Sequence, residues 1–576
     1  MKPHHIHLFL TSLLLFSACH NKYETITGYW EATFADSVNF PNQILYFNAE
    51  NGKLKLTIDE PKDGLLHVPG EHVWFQNDSL HYETVSGIYK YDGKLNPDKN
   101  IIKGIRFAGT TYSSPFIIKR TTPEALTYYK IPRLKANGDR EFSYTYRPPV
   151  HAEDGIATGT LANAGIDTSY LVQLVKDILS GKMATVHSLL LVKDNKLVFE
   201  EYFHNYNIHD VHKVESVIKT IQSALVGIAI DNGFIPDENE YVSNYFSNRD
   251  STQWIRKNYP VQIRHLLSMT SGLEWKPYNE DGPSDDSEIY LSPDYINYVL
   301  NKNLINKPGK TFLYNNRFNF LHQGIIEKTS GMPLDSFAKT FLFDPLGTDE
   351  YEWKIIENGN YKFLDALKLS PRTMIKFGML YLNKGKWNNQ QIISPEWVRV
   401  STEKHANAGT LDYGYTWWMR NYTVNGRSFR TIFALGHGEQ IIMLIPEANA
   451  VFVMTGGNFM LKPQRQDEIL TRYILPSLNT NHTTASAIDL HKLTGSYETI
   501  SHEFLQIELL DGKIQVTDPA GRQFSLLPKS GNVYQVENSP LTVTFYLDDS
   551  GSLITAYIYN NTQIVDRLVK KEANDE

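Results

Sequence analysis

The chain has one cysteine, Cys19, so the 576-residue sequence excludes an intrachain disulfide as a source of stability. Positive charge is outweighed by negative charge, and the formal net charge of −8 argues against a nucleic-acid-binding role. No apolar run approaches the roughly 20 residues that a membrane-spanning helix needs. The hydrophobic fraction of 41% is ordinary. The length therefore indicates a globular protein of several domains.

Residues 1–19 form a pattern of their own. Lys2 precedes a short apolar run, and small residues stand directly before Cys19. The run is too short to cross a bilayer core of about 30 Å, so it is typical of a signal peptide. It resembles a bacterial lipobox, with Phe16 where leucine is usual. The resemblance implies export and a lipid anchor on Cys19 in the cell envelope; the alternative is an ordinary signal peptide.

The rest of the chain changes its hydrophobic pattern three times. Residues 22–120 and 487–572 alternate apolar and polar positions between Asn-Gly and Asp-Gly turns, which predicts all-β modules. Residues 121–168 are polar and proline-bearing, as expected for a linker. Residues 169–478 mix helical and strand patterns and predict one α+β domain of catalytic size.

Two short segments open the β modules alike. ITGYWEAT begins at Ile26, and LTGSYETI begins at Leu493. These matches fit either a distant repeat of one barrel type or chance. We expect both modules to be structural or substrate-guiding rather than catalytic.

Ser216 and Lys219 are the strongest candidates for chemistry. They stand three residues apart at the start of a predicted helix, so their side chains share one face. A serine hydroxyl needs a neighbouring base to act as a nucleophile, and a lysine amine can be that base. The same spacing occurs at Ser336 and Ser401, but the mainly apolar residues after Ser216 predict a deeply buried helix.

Histidines give a weaker signal for a metal site. His204, His209 and His212 cluster before this helix, but their spacing matches no common zinc pattern and no cysteine accompanies them. These histidines could form a metal site, or they could be packing or solvated residues. We expect packing or solvated histidines, with no metal and no cofactor.

Four segments around the serine–lysine pair resemble a known family. ESVIKTIQSALVGIAIDNG, from Glu215, is similar to the nucleophile helix of the serine β-lactamase-related hydrolases, which include class C β-lactamases, penicillin-binding proteins and esterases. RHLLSMTSGL from Arg264 and PGKTFLYNNRFNFLHQG from Pro308 follow in the family's order. GHGEQIIMLIPEANAVFVMTGG, from Gly436, resembles the third-motif strand. The resemblance spans about residues 188–458.

The resemblance implies a fold and a set of roles. The fold is an antiparallel sheet flanked by helices, plus a mainly helical subdomain, with the active site between them. Ser216 is implied to form an acyl-enzyme, with Lys219 and Tyr314 sharing the general-base and general-acid work. Asn316 is implied to orient the lysine and to bind the substrate amide. His437 would stand on the strand that supplies the second oxyanion donor.

The third motif departs from the family pattern. The family usually has Lys-Thr-Gly or His-x-Gly there, whereas His437-Gly438 is followed here by Glu439 in place of a second glycine. Glu439 is expected to narrow the cleft, to add negative charge to it or to mark a shifted alignment. Because the cationic lysine is missing, we expect esters or D-peptides rather than β-lactams as substrates.

These observations predict a metal-free serine hydrolase that cleaves ester or amide bonds in a small-molecule or peptide substrate. One alternative is a catalytically inactive lipoprotein of the same fold that binds peptidoglycan or peptides. Another is a surface carbohydrate-binding protein that works through its β modules. The complete set of Ser216, Lys219, Tyr314 and Asn316 favours the hydrolase. The sequence does not indicate an oligomeric state.

Overall fold

The computed structural model describes most of the chain beyond the predicted signal peptide. The described residues are 23–34, 43–60, 65–84, 89–108, 112–122, 133, 143–183, 185–204, 206–249, 254, 257, 259–277, 284–358, 361–458, 465–478, 490–499, 503–530, 533–547, 553–560 and 563–571. Cys19 lies outside them, so its lipidation stays a prediction. The chain folds into two compact units, residues 1–58 with 69–123 and residues 59–68 with 124–576. Among the described residues, no helix is long and apolar enough to cross a membrane.

The described part of residues 28–120 consists of strands and turns, as the alternating pattern predicts. The strands are Gly28–Phe34, Gln43–Glu50, Lys53–Glu60, Leu65–Pro69, Glu71–Gln76, Ser79–Glu83, Tyr89–Leu95, Ile101–Ala108 and Tyr112–Arg120. The first and last strands are antiparallel neighbours, which bends the meander towards a barrel.

The opening of this first β region has a distinctive local structure. Gly28 has a φ of 112°, which only glycine adopts readily. The Trp30 ring that follows is fully buried and donates from Nε1 to the Ile26 carbonyl at 2.8 Å. Arg120, opposite Trp30 on the last strand, covers the ring at 4.4 Å.

The C-terminal region repeats this arrangement. Gly495 has a φ of 140°, and the buried Tyr497 donates to the Leu493 carbonyl at 2.6 Å. Lys570 of the last strand stands opposite Tyr497. Shared local geometry, in addition to the similar sequences, favours a repeat of one barrel type over chance.

The C-terminal strands close into an eight-stranded antiparallel barrel. Each strand pairs with the next, and the first pairs with the last. The strands are Gly495–Glu498, Phe504–Leu510, Lys513–Thr517, Gln523–Ser530, Val533–Val536, Leu541–Leu547, Leu553–Asn560 and Gln563–Lys570. Closure gives each of these strands a paired neighbour on both sides, and Leu547 also pairs with Thr423 of the central sheet.

Six antiparallel strands at the centre of the larger unit form part of a 16-stranded sheet that also includes the C-terminal strands. In spatial order the strands are Lys196–Tyr202, Val186–Lys193, Ala450–Gly456, Gln440–Ile445, Arg427–Gly436 and Trp418–Val424. Helices cover both faces, so the strand Val186–Lys193 is buried at successive positions instead of at alternate ones. Leu189 and Leu191 join one core, whereas Leu190 and Val192 join the other.

The α-helices follow the mixed pattern predicted for this region. They are Thr168–Leu179, Val217–Asp231, Ile263–Leu267, Asp285–Glu288, Tyr295–Leu300, Phe318–Ser330, Leu334–Ala338, Pro371–Leu382, Pro395–Ser401, Gln466–Ile469 and Leu475–Ser477. Shorter 3₁₀ or π turns are Val242–Phe246, Ile289–Leu291, Lys339–Phe343, Pro446–Ala448, Leu470–Ile474 and Leu490–Leu493. The remaining strands are His212–Lys213, Tyr351–Asn358, Tyr361–Leu369, Lys386–Trp387, Gln390–Gln391, Ala406–Ala408 and Leu411–Tyr413.

Candidate active site

Ser216 occupies the first turn of a buried helix. The helix runs over Val217–Asp231, and its side chains are buried from Val217 to Ala229, which confirms the prediction. Glu215, just before the serine, has a φ of 50°, so the chain turns sharply into the helix. Ser216 is only partly buried, and its side chain makes no capping hydrogen bond. The hydroxyl is therefore left for another partner.

That partner is the Lys219 amine. Lys219 Nζ donates to Ser216 Oγ at 2.9 Å, as the helical spacing predicts. The lysine is 7% exposed, so the amine is largely removed from water while the hydroxyl remains accessible. A buried amine in hydrogen-bond contact with a serine hydroxyl has the geometry of a general base and its nucleophile.

Tyr314 completes the cluster from a different segment. Its ring centroid lies 5.2 Å from Lys219 Nζ. Met269 fixes the loop around the tyrosine: its carbonyl accepts from the Leu313 amide at 2.8 Å, and its sulfur lies 3.4 Å from the Asn315 amide. The segment that begins at Arg264 thus positions the second motif, and the structure brings the predicted serine, lysine and tyrosine together.

Asn316 has a partner that the sequence did not predict. Its Nδ2 donates to Asp286 Oδ2 at 2.8 Å, and Trp275 Nε1 donates to the other oxygen of the same carboxylate at 3.2 Å. Asp286 is 6% exposed. Asp286 thereby fixes the orientation of the amide, and its carbonyl oxygen is the acceptor for the predicted contact with Lys219 or a substrate N–H.

Sequence reasoning also missed a wall of aromatic rings beside Tyr314. Trp418 stacks on the Tyr314 ring with centroids 5.8 Å apart and an interplanar angle of 25°. Tyr413 meets Trp418 edge-on at 4.6 Å, and Phe312 lies 6.1 Å from Trp418. These residues come from separate segments, so no spacing in the sequence indicated that they meet.

The third motif lies against the start of the nucleophile helix. Gly436 ends its strand so close to the chain before Ser216 that a Cβ atom there would stand 2.3 Å from the Val214 carbonyl oxygen. Only glycine permits this approach. His437 follows in the turn between two paired strands, and its side chain is exposed. The predicted position of His437 near the serine is therefore consistent with the fold, and its role stays a prediction.

Glu439 does not act on the cleft as expected. Its side chain is fully buried and accepts hydrogen bonds from Asn458 Nδ2, at 2.7 Å, and from the Arg465 amide. The carboxyl therefore neither narrows the cleft nor adds charge to it. Its φ of 73° is the conformation a glycine would adopt, which fits the alignment without a shift. Burial, opposed by these hydrogen bonds, raises the pKa of Glu439 to about 7.

We expect Glu439→Gln to remove a pH dependence of stability. A raised carboxyl pKa means that the folded state favours the protonated form, so this stabilisation is complete below pH 4.5 and is lost as pH rises through 7. From pH 4.5 to pH 8 the wild type should lose on the order of 3 kcal/mol of unfolding free energy relative to the variant. Urea unfolding at both pH values measures this.

The exposed Glu508→Gln serves as the control and should follow the wild type. Parallel pH curves for the wild type and Glu439→Gln would contradict the assignment.

Two of the histidines predicted as packing residues, His204 and His212, both contact His187, and the His204 ring meets the His187 ring edge-on at 5.5 Å. His187 Nδ1 lies 2.8 Å from His212 Nε2 in the interior, and burial holds the pKa of His187 well below its usual range. His209 instead contacts Glu350 at 2.6 Å. Within the described ranges, no three His, Cys, Asp or Glu side chains are arranged to hold a metal ion.

A sheet flanked by helices, with a serine and lysine paired at the start of a buried helix, defines the β-lactamase-like class of serine hydrolase folds. The chain belongs to the Beta-lactamase family, whose model matches residues 174–475, just over half of the 576 residues. This confirms the predicted family and fold class, including the all-β regions at both ends.

Known relatives cover different parts of the chain. Penicillin-binding protein 4* of Bacillus subtilis (strain 168) is 26% identical in an alignment 207 residues long, which covers 29% of this chain and 45% of that protein. The chain thus spans less than half the length of this curated relative. A putative 6-aminohexanoate-dimer hydrolase from Bacillus anthracis is similar at 19% identity and a TM-score of 0.45, covering 53% of this chain and 81% of its own. An octameric penicillin-binding protein homologue from Pyrococcus abyssi is similar at 16% identity and a TM-score of 0.43. The match covers 70% of this chain and 99% of that chain.

Proposed function

We propose that this protein is a serine hydrolase that cleaves esters or amides through an acyl-serine intermediate. The observation that carries the proposal is the 2.9 Å hydrogen bond between Lys219 Nζ and Ser216 Oγ, at the exposed end of an otherwise buried helix. Membership of the β-lactamase-like serine hydrolase family supports it.

The reaction proceeds in two halves. Ser216 Oγ attacks the substrate carbonyl carbon while the Lys219 amine accepts the hydroxyl proton. The Ser216 backbone N–H and an N–H of the strand after His437 stabilise the oxyanion. The tetrahedral adduct then releases its leaving group, which takes a proton from the Lys219–Tyr314 pair. A water molecule next attacks the acyl carbon, returning the proton to Ser216 and releasing the acid.

The substrate is an ester or a D-peptide in preference to a β-lactam. The third motif has His437 where many relatives carry a lysine, so the cation that would bind the carboxylate of a penicillin is missing from that position. Asn316 contributes its amide oxygen to the substrate N–H, since its Nδ2 is held by Asp286.

We also propose where in the cell the protein acts. The segment before Cys19 supports export and attachment to the cell envelope through a lipid on that cysteine. Metabolic labelling with a fatty-acid probe in a bacterial host should mark the wild type and not Cys19→Ser. Equal labelling of both would contradict the anchor.

A substrate panel tests the proposed reaction. Purified protein should hydrolyse p-nitrophenyl acetate or a D-alanyl-D-alanine peptide amide, which has no C-terminal carboxylate, faster than a chromogenic cephalosporin, and Ser216→Ala should hydrolyse none of them above background. Faster turnover of the cephalosporin would reverse the substrate order. Binding of the peptide without turnover by folded protein would instead favour the inactive, peptide-binding lipoprotein.

A further inference from the structure

Trp418 is connected to both the second and the third motif of the candidate site. It begins the strand Trp418–Val424 and lies opposite Phe433 on the third-motif strand, three residues before Gly436. Its ring stacks on Tyr314, which belongs to the second motif. The indole thus contacts the second motif, and the Trp418 backbone pairs with the strand that leads to the third motif.

The environment of Trp418 differs from that of the neighbouring tryptophan. Trp417, directly before the strand, is fully buried and packs against Phe377 and Tyr381. Trp418, like Phe312 and Tyr314, is only partly buried. Three rings therefore keep part of their surface accessible, and one of them, Tyr314, has its centroid 5.2 Å from Lys219 Nζ. Large apolar surfaces left accessible in a cleft are typical of ligand contacts.

We infer that Trp418, with Phe312 beside it, is a specificity-determining wall that binds an aromatic or alkyl group of the substrate next to the scissile bond. The inference rests on the proposed hydrolase function and narrows its substrates to esters or amides with such a group. Ring faces offer stacking and dispersion contacts but no anchor for a carboxylate. The missing third-motif lysine points to the same class of substrate.

Three thioesters distinguish substrate binding by Trp418 from a purely structural role of Trp418 in supporting the site. S-ethyl thioacetate has no large group, S-ethyl phenylthioacetate adds a ring on the acyl side, and S-phenyl thioacetate adds one on the leaving-group side. Thiol release gives kcat/KM for each. Trp418→Ala should lower the ratio of kcat/KM for at least one aromatic substrate to kcat/KM for S-ethyl thioacetate about tenfold or more. Trp418→Phe should retain most of the preference.

The controls distinguish the possible failures. Trp74→Ala, at a tryptophan that is 48% exposed in the other unit, should leave all three rates unchanged. An equal loss on all three substrates would mean that Trp418 only supports Tyr314, and unchanged ratios would also overturn the inference. If Trp418→Ala does not fold, Trp418→Leu replaces it with the same criteria. A wild type that hydrolyses none of the thioesters and accepts no serine-directed label would refute the proposed function itself.

Discussion

Lys219→Met is expected to lower kcat/KM for ester hydrolysis by roughly 10³- to 10⁴-fold, with little change in KM. Methionine fills a similar volume at a position that is 7% exposed, so the helix should remain packed. The substitution removes the amine that lies 2.9 Å from Ser216 Oγ, and the hydroxyl is left without a base. Steady-state kinetics with one activated ester give the two parameters.

A second buried lysine provides the matched control. Lys376 is 2% exposed and donates to the Gly347 carbonyl at 2.8 Å, among residues that take no part in the proposed reaction. Lys376→Met should reduce stability but leave kcat per folded molecule close to that of the wild type. If both lysine variants lose activity to the same extent, the loss reflects packing and Lys219 is not the base.

Tyr314→Phe is expected to lower kcat by roughly 10²-fold, because the variant keeps the ring and loses the hydroxyl that shares proton transfer. Stacking on Trp418 and the ring's contact with Lys219 should persist, so KM should change little. The effect should be larger for an amide than for a p-nitrophenyl ester, since a poor leaving group depends more on protonation. A pair of substrates with the same acyl group measures this difference.

Tyr381→Phe is the control for the tyrosine variant. Tyr381 is 2% exposed and packs against Phe377 and Trp417 in the core of the same unit. Its variant should retain wild-type kcat on both substrates. Equal rates for Tyr314→Phe and the wild type would assign all of the proton transfer to Lys219.

The sequence predicted the parts of the site that local periodicity or a long segment defines. Ser216 and Lys219 share a helix, so a spacing of three residues was enough to place their side chains in contact. Tyr314 depended on the family resemblance, because its loop reaches Lys219 only through tertiary packing.

Other features depend on contacts between distant segments. Asp286 meets Asn316 across 30 residues of chain, and Trp418 meets Tyr314 across about a hundred, so no short pattern contains either pair. The error at Glu439 has a local cause. Its φ of 73° turns the side chain into the interior, and the letter sequence does not state a backbone angle. The pairing that closes the C-terminal barrel, Tyr497 with Lys570, is equally non-local.

The central claim is that Ser216 is an activated nucleophile, and intact-protein mass spectrometry after exposure to a fluorophosphonate tests it most directly. The wild type should gain the mass of one phosphonyl group and Ser216→Ala should gain none. Lys219→Met should label much more slowly than the wild type. The absence of an adduct on folded wild-type protein, or an adduct that persists in Ser216→Ala, would contradict the account.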